Sequence, residues 1–317
     1  MAKRRNGRQL RFNVYRGPGW PEVKAGELLL EYFSDDQLIR WRARTQDLQG
    51  YHYLWFYELE QQRAAKQSEL QLALQSVRGI SVPLDGWGRA IDFKYSREPL
   101  SCLGSLQWIG GRFNYGIDID SSRYTPFPAL YLAEDMETAI REKHGLLRDS
   151  GRAGLTAEEM ALCSRSSLTW LAITGNVNNV FDLTKTENLV SFVDVLAQFK
   201  LSRNVRSQED KIGLAPLQLV KTVDIFMSTL MAENWRQYPT LWSTPANSQL
   251  LGNMLSHAGF EGVLFSSTIT GKRNLAIFPR QFHHSESLIQ ILDPPPNARC
   301  CVLNATTHAD AERVNWD

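Results

Sequence analysis

The stretch 110–145 constrains the fold of this chain more than any other, because it joins a tight turn, a strand and a helix. A glycine pair opens it and predicts a turn that lets the backbone approach a ligand, presenting Arg112 and Asn114. The apolar run 129–133 then predicts a strand, and the segment after it predicts a helix that carries Glu142. A guanidinium, an amide and a helix carboxylate are groups that can grip an anionic nucleotide and act on its sugar.

The composition is that of an ordinary globular enzyme. The chain has 317 residues, 43% of them hydrophobic and 22% charged, which suffices for a large domain and an accessory one. Its 35 basic and 34 acidic residues leave a formal net charge of +1. No overall field therefore favours nucleic acid or an anionic membrane as a partner.

Neither a metal site nor a disulfide framework is predicted. The cysteines, Cys102, Cys163, Cys300 and Cys301, lack metal-ligand spacing and the density of a secreted scaffold. The adjacent histidines at 283–284 point in different directions and have no further ligand cluster nearby. No apolar run approaches the roughly eighteen residues that span a bilayer, and the basic N-terminus lacks the apolar segment of a secretory signal. We expect a cytoplasmic protein, with signal-independent export as the alternative.

Patterning divides the chain into a mainly helical region over 1–80, a mixed region over 81–290 and a weakly packed tail over 291–317. Helices are predicted over 25–45 and 57–76. The aromatic residues between these helices are interpreted as the seam that joins the first region to the main domain.

The middle region alternates β-rich and helical runs, which predicts a mixed α and β topology. A helix over 248–257 is followed by two predicted strands, 262–267 and 274–278, with a glycine turn between them. In such a hairpin Ser267 and Asn274 could face one another. The other elements predicted here are strands at 168–173 and 180–183 and a helix at 187–199.

Three blocks of sequence, taken in order, resemble the RES domain, a family named for an arginine, a glutamate and a serine. They are RAIDFKYSREPLS at 89–101, the stretch 110–145 and the segment 260–278. The similarity covers about two thirds of the chain and does not extend to the N-terminal region. It implies an α+β fold with an ADP-ribosyltransferase-like mixed β-sheet core and flanking helices, to which this chain adds a helical N-terminal extension. It also implies an NAD-consuming toxin, often restrained by an Xre-type helix-turn-helix antitoxin.

The resemblance carries over residue by residue. The catalytic residues that it implies are Arg89, Tyr131, Glu142 and Ser267. The ligand-binding residues that it implies are Tyr95, Arg112, Phe113, Asn114 and Asn274. Arg97 is the fallback for the arginine, and Ser266 takes the place of the serine if the register slips by one. Without the resemblance, each of these would be interpreted as an ordinary surface or core residue.

In the implied chemistry the bond between nicotinamide and ribose breaks, and Glu142 stabilises the positive charge that develops on the sugar. Arg89 and Arg112 suit the pyrophosphate, because a planar fork of donors matches its oxygens. Tyr131 stacks on or orients the nicotinamide end, and Phe113 adds a second aromatic wall.

Ser267 is interpreted as a hydrogen-bonding residue and not as a nucleophile, because no histidine base stands at a recognisable motif distance. NAD is a substrate in this reading, so no cofactor is expected, and the acceptor is water or inorganic phosphate. The segment 115–124 is longer than expected for the family and is predicted to decide acceptor access. Two alternatives stay open: transfer of ADP-ribose to a protein or nucleic acid, and a catalytically silent module that binds a nucleotide or partner. A homo-oligomer also stays open.

Overall fold

A mixed sheet of eight strands forms the centre of the protein in the computed structural model, which describes residues 34–145 and 168–313. The strands are β1 Ile80–Pro83, β2 Gly88–Asp92, β3 Leu130–Ala133, β4 Leu168–Asp182, β5 Gly262–Ser266, β6 Arg273–Ile277, β7 Leu288–Ile291 and β8 Val302–Leu303. Neighbours run in the order β2-β3-β6-β5-β4-β7-β8, and β1 and β2 also pair with β4. The pair β4–β5 is parallel, and the other pairs are antiparallel. The predicted α+β class with a mixed sheet is confirmed.

Helices connect and cover the strands. They are α1 Asp35–Ala65, α2 Gln67–Gln75, α3 Met136–His144, α4 Val190–Leu196, α5 Arg203–Ile212, α6 Val223–Leu230, α7 Gln237–Trp242, α8 Asn247–His257 and α9 Asp310–Arg313. Within the two described ranges, none of them combines the length and the apolarity needed to cross a membrane.

The two faces of the sheet carry separate apolar clusters, as the alternation of side chains along a strand requires. Val263 and Phe265 of β5 join a cluster formed with α1, α2, α4, α6 and α8, whereas Leu264 between them joins a cluster on the opposite face. Leu70 and Leu74 of α2 are fully buried in the first cluster. The N-terminal helices therefore share the core of the main domain.

The N-terminal helices differ from the two predicted over 25–45 and 57–76. Residues 25–33 lie outside the described part of the chain, and from Ser34, which caps α1 together with Gln37, one helix continues without a break to Ala65. The aromatic cluster, which consists of Tyr51, Tyr53, Trp55, Phe56 and Tyr57, lies inside this helix, with Tyr51 and Phe56 buried. Its contacts are those of a seam: His52, for example, stacks on Trp242 of α7.

Two further predictions are corrected. The strands predicted at 168–173 and 180–183 are the two ends of a single long strand, β4, which changes partners along its length from β2 to β5. The described part of the C-terminal segment, residues 291–313, is not a weakly packed tail. Strand β8 pairs with β7, and Ala311 is fully buried and accepts a hydrogen bond from the Cys102 amide.

Candidate active site

Glu142 is the centre of a hydrogen-bonded group formed by residues far apart in the chain. Ser267 Oγ donates to Glu142 Oε1 at 2.6 Å, and Asn274 Nδ2 donates to the same oxygen at 2.9 Å. Ser267 is 4% exposed and Asn274 5% exposed, whereas Glu142 lines a cavity. Within the described residues Oε2 accepts no hydrogen bond, so one carboxylate oxygen is fixed and the other is available to a ligand.

Helix α3 and the β5–β6 hairpin hold this group in place. Asp135 caps α3 by accepting a hydrogen bond from the Thr138 amide, and Gly145 ends the helix in the left-handed region at φ 65°. Ser267 Oγ also accepts hydrogen bonds from the amides of Ile269 and Thr270, which fixes the turn of the hairpin. The hydroxyls of Thr138 and Thr270 lie 3.0 Å apart and join the helix to that turn.

The hairpin register decides between the two candidate serines. Asn274 pairs with Phe265, and Arg273 pairs with Ser266. Ser267 lies just beyond the end of β5, and its side chain shares a face with Asn274, as the alternation along the strand requires. Ser266 is exposed. The structure thus brings Ser267, and not Ser266, to the carboxylate.

Tyr131 of strand β3 stabilises the turn at 110–114, which is called the glycine turn below. Its hydroxyl accepts a hydrogen bond from the Phe113 amide and donates to Asn114 Oδ1, both at 2.9 Å. Gly110 has φ +87°, a conformation that favours glycine. Burial raises the pKa of Tyr131, so its hydroxyl stays protonated and keeps the donor role. Tyr131 also lines the cavity.

Two of the residues assigned to ligand binding have structural positions instead. Asn114 is fully buried, and its amide donates to the Ser105 and Phe127 carbonyls, so it organises the turn. Phe113 is also fully buried, with its ring centroid 4.7 Å from that of Phe265. The expected second aromatic wall is corrected accordingly, because the turn directs the Phe113 ring into the core.

Tyr95 and Arg97 also lie away from the cavity walls that the described residues form. Tyr95 packs against the apolar cluster that contains β3. Arg97 is exposed, and its carbonyl accepts a hydrogen bond from the Arg299 amide. Tyr95 is absent from the described residues that line the cavity, so the structure gives no support to its assignment to ligand binding.

Arg89 and Arg112 both line the cavity, but each is partly engaged with the backbone. Arg89 Nη1 donates to the Pro99 and Ser101 carbonyls, each at 2.9 Å. Arg112 Nη1 donates to the carbonyls of 230 and 232, at 2.9 and 3.2 Å. Burial lowers the pKa of both guanidinium groups, although an arginine remains charged at any physiological pH.

The cavity has a volume of about 880 Å³, which lies in the range that ligand sites occupy. The segment 115–124 is absent from the described residues that line it. Tyr115, Ile119 and Tyr124 are buried in the core, and the Tyr124 hydroxyl donates to Glu60 of α1. The segment therefore packs on the core and not along the cavity, and its role in acceptor access stays a prediction.

The sequence gives no sign of one wall of the cavity and one of its supports. Glu233, Trp235 and Arg236 line the cavity from the connection between α6 and α7. Gln249 of α8 donates to the carbonyls of 109, 111 and 114 and so closes the glycine turn. The wall residues lie outside the three sequence blocks, and no local pattern indicates their role.

The described residues contain no group of three or more histidine, cysteine, aspartate or glutamate side chains that could hold a metal ion. Three of the cysteines, Cys102, Cys300 and Cys301, are free thiols, and Cys163 lies outside the described ranges.

Comparison with known proteins gives one match to a family model. The model of the RES domain matches residues 87–297, a range that contains Glu142, both of its hydrogen-bond partners and the three arginines that line the cavity. Among solved structures, a chain from the crystal structure of the M. tuberculosis MbcT–MbcA toxin–antitoxin complex is similar, with 16% identity and a TM-score of 0.40. The alignment covers 78% of this chain and 98% of that chain. The comparison with curated proteins found no match.

Proposed function

Since the chain belongs to the RES domain family, we propose that it is an NAD-consuming enzyme that cleaves the bond between nicotinamide and ribose. The observation that carries the proposal is the carboxylate of Glu142, which lines the cavity with Oε1 held by Ser267 and Asn274. A fixed carboxylate with one oxygen facing a ligand is what an oxocarbenium-like transition state needs.

In the proposed reaction the electron pair of the bond between the ribose carbon and the ring nitrogen moves to nicotinamide, which leaves as a neutral molecule. Positive charge then spreads over the ribose carbon and ring oxygen, and Glu142 stabilises it electrostatically. Water or inorganic phosphate forms the new bond from oxygen to that carbon and loses a proton, giving ADP-ribose or ADP-ribose 1''-phosphate.

The other cavity residues have supporting roles in this proposal. Tyr131 presents its ring to the nicotinamide end, while its hydroxyl fixes the turn that carries Arg112. Arg89 contributes positive charge at the β2 side of the cavity. The proposal includes a toxin role through loss of NAD and an antitoxin partner, because characterised members of the family act in this way.

The test is incubation of purified protein with NAD, with and without phosphate, while nicotinamide and the ADP-ribosyl product are followed by mass spectrometry. Release that depends on phosphate identifies a phosphorylase, and release without phosphate identifies a glycohydrolase. Labelling of an added protein or nucleic acid identifies a transferase. Absence of any release or labelling by folded, partner-free protein contradicts the proposal and favours a silent binding module.

A further inference from the structure

Neither motif arginine offers its whole guanidinium group to a ligand. Arg89 Nη1 is bonded to two carbonyls of the turn at 99–101, and Arg112 Nη1 is bonded to two carbonyls of the segment 230–232. These bonds use one nitrogen of each planar fork. A doubly charged pyrophosphate, or an attacking phosphate, calls for a further cation on the same cavity.

Arg236 is such a cation. It lines the cavity and is exposed, and within the described ranges its side chain has no carboxylate within ion-pair distance and no hydrogen-bond acceptor. Its guanidinium carbon lies 4.5 Å from the ring centroid of Trp235, a residue that is only 6% exposed. The buried indole gives the arginine a fixed platform through a cation–π contact.

Arg112 uses the same indole. Its guanidinium carbon lies 5.5 Å from the Trp235 centroid, so two positive charges flank one ring at one wall. Burial lowers the pKa of Arg112; the Glu142 carboxylate opposes this, and the charge of Arg236 lowers the pKa further. The two guanidinium groups therefore repel each other. An anion that binds both of them would relieve that repulsion.

Two acids share this end of the cavity and limit what the anion can be. Glu142 has Oε1 bonded to Ser267 and Asn274 and keeps its negative charge, and Glu233 precedes Trp235 on the same wall. Both glutamates repel any anion, so the ligand must gain more from the arginines than it loses to the acids. A phosphate can do so, because its several oxygens can accept hydrogen bonds from both guanidinium forks at once.

We propose that Arg236, held on Trp235 and acting with Arg112, binds a phosphate group at the α6–α7 wall of the cavity. This inference rests on the proposed function, since the phosphate is either the pyrophosphate of NAD or the inorganic phosphate that attacks the ribose. Both sources present the same chemistry to the two guanidinium groups.

Binding of ADP-ribose, inorganic phosphate and nicotinamide riboside to wild type, Arg236→Ala and Arg236→Lys is measured by calorimetry. The riboside lacks the pyrophosphate. We expect Arg236→Ala to weaken binding of a phosphate-bearing ligand by about tenfold or more, the cost of a lost charge-assisted hydrogen bond, while riboside binding stays unchanged. Arg236→Lys keeps the charge and should recover part of the loss.

The matched control is Arg123→Ala. The guanidinium carbon of Arg123 lies 4.1 Å from the ring centroid of Tyr57, so it also contacts an aromatic ring, but Arg123 is absent from the described residues that line the cavity.

Steady-state kinetics separates the two sources. A raised KM for NAD at fixed phosphate places the pyrophosphate at Arg236, and a raised KM for phosphate with the KM for NAD unchanged places the attacking phosphate there. The inference is overturned by unchanged binding in Arg236→Ala, by equal loss for the riboside, or by a wild type that binds neither phosphate ligand. Phosphate-ligand binding that depends on Arg236, in a protein that never releases nicotinamide, would sustain this inference and refute the proposed function.

Discussion

Ser267 Oγ lies 2.6 Å from Glu142 Oε1 and donates a hydrogen bond to it across 125 residues of chain. A bond this short between a hydroxyl and a carboxylate is charge-assisted, and it orients the carboxylate as well as stabilising its charge. Because Asn274 donates to the same oxygen, the second oxygen keeps a fixed direction toward the cavity. Pre-organisation of this kind avoids reorganisation during the reaction.

Replacement of Glu142 tests the carboxylate directly. Glu142→Gln keeps the size of the side chain but removes its charge, so we expect nicotinamide release to fall by on the order of a hundredfold or more with the fold intact. Turnover is measured by mass spectrometry and folding by circular dichroism. Glu69→Gln is the control, because Glu69 pairs with Lys66 on the surface. Wild-type turnover in Glu142→Gln would show that another group carries the chemistry.

The adjacent serines form a matched pair for the second experiment. Ser267→Ala removes the hydrogen bond to Glu142 and the acceptor for two backbone amides, so we expect turnover to fall and the free energy of unfolding to drop by about 1–3 kcal/mol. Ser266→Ala should change neither quantity, because Ser266 is exposed. Turnover and urea unfolding are measured for both variants. The reverse pattern would place the register one residue earlier.

Tyr131→Phe tests whether the hydrogen bonds of the Tyr131 hydroxyl stabilise the glycine turn. The change leaves the Phe113 amide without the hydroxyl that accepts its hydrogen bond, which should cost about 1–3 kcal/mol of stability. Turnover should also fall, because the turn carries Arg112. Urea unfolding and nicotinamide release are compared with those of Tyr57→Phe. The Tyr57 hydroxyl has no hydrogen bond in the described part of the chain, so an equal loss in both variants would count against the turn as the cause.

Stability should depend on pH through His52. Burial lowers the pKa of this histidine from its ordinary 6.5 to about 4, and the ring is 1% exposed. Between pH 6.5 and 4, His52 is therefore protonated in the unfolded chain but not in the folded protein. The free energy of unfolding that His52 contributes above pH 6.5 is lost as the pH falls toward 4. His52 alone should reduce the free energy of unfolding by up to about 1.4 kcal/mol per pH unit within that window.

The measurement is urea unfolding at several pH values between 7 and 4. His52→Gln should flatten the dependence, whereas His257→Gln, at an exposed position, should leave it as in the wild type. Equal pH dependence in wild type and His52→Gln would assign the effect to other groups.

The sequence was informative where strand and helix follow one another closely. Tyr131 and Glu142 lie on a short strand and the helix after it, so period and spacing predict both elements, and the structure has them as β3 and α3. The hairpin that brings Ser267 beside Asn274 has the same local origin in an apolar run, a glycine turn and a second apolar run.

The sequence could not predict side-chain direction in the turn or contacts between distant segments. Phe113 and Asn114 belong to a turn that the sequence predicts, but local pattern does not show which side chains such a turn directs into the core. Trp235 and Arg236 line the cavity close to Arg112, which binds the carbonyls of 230 and 232, a contact between segments more than a hundred residues apart. No period or spacing in the sequence encodes that contact.

The separation of Glu142 from its partners has a consequence for synthesis of the protein. Ser267 and Asn274 follow the glutamate by 125 and 132 residues, and Gln249, which closes the glycine turn, also comes late. A ribosome therefore translates the carboxylate long before the residues that orient it. A chain that stalls before the hairpin contains Glu142 but not the residues that orient it, so the proposed activity should appear only after the hairpin has been translated.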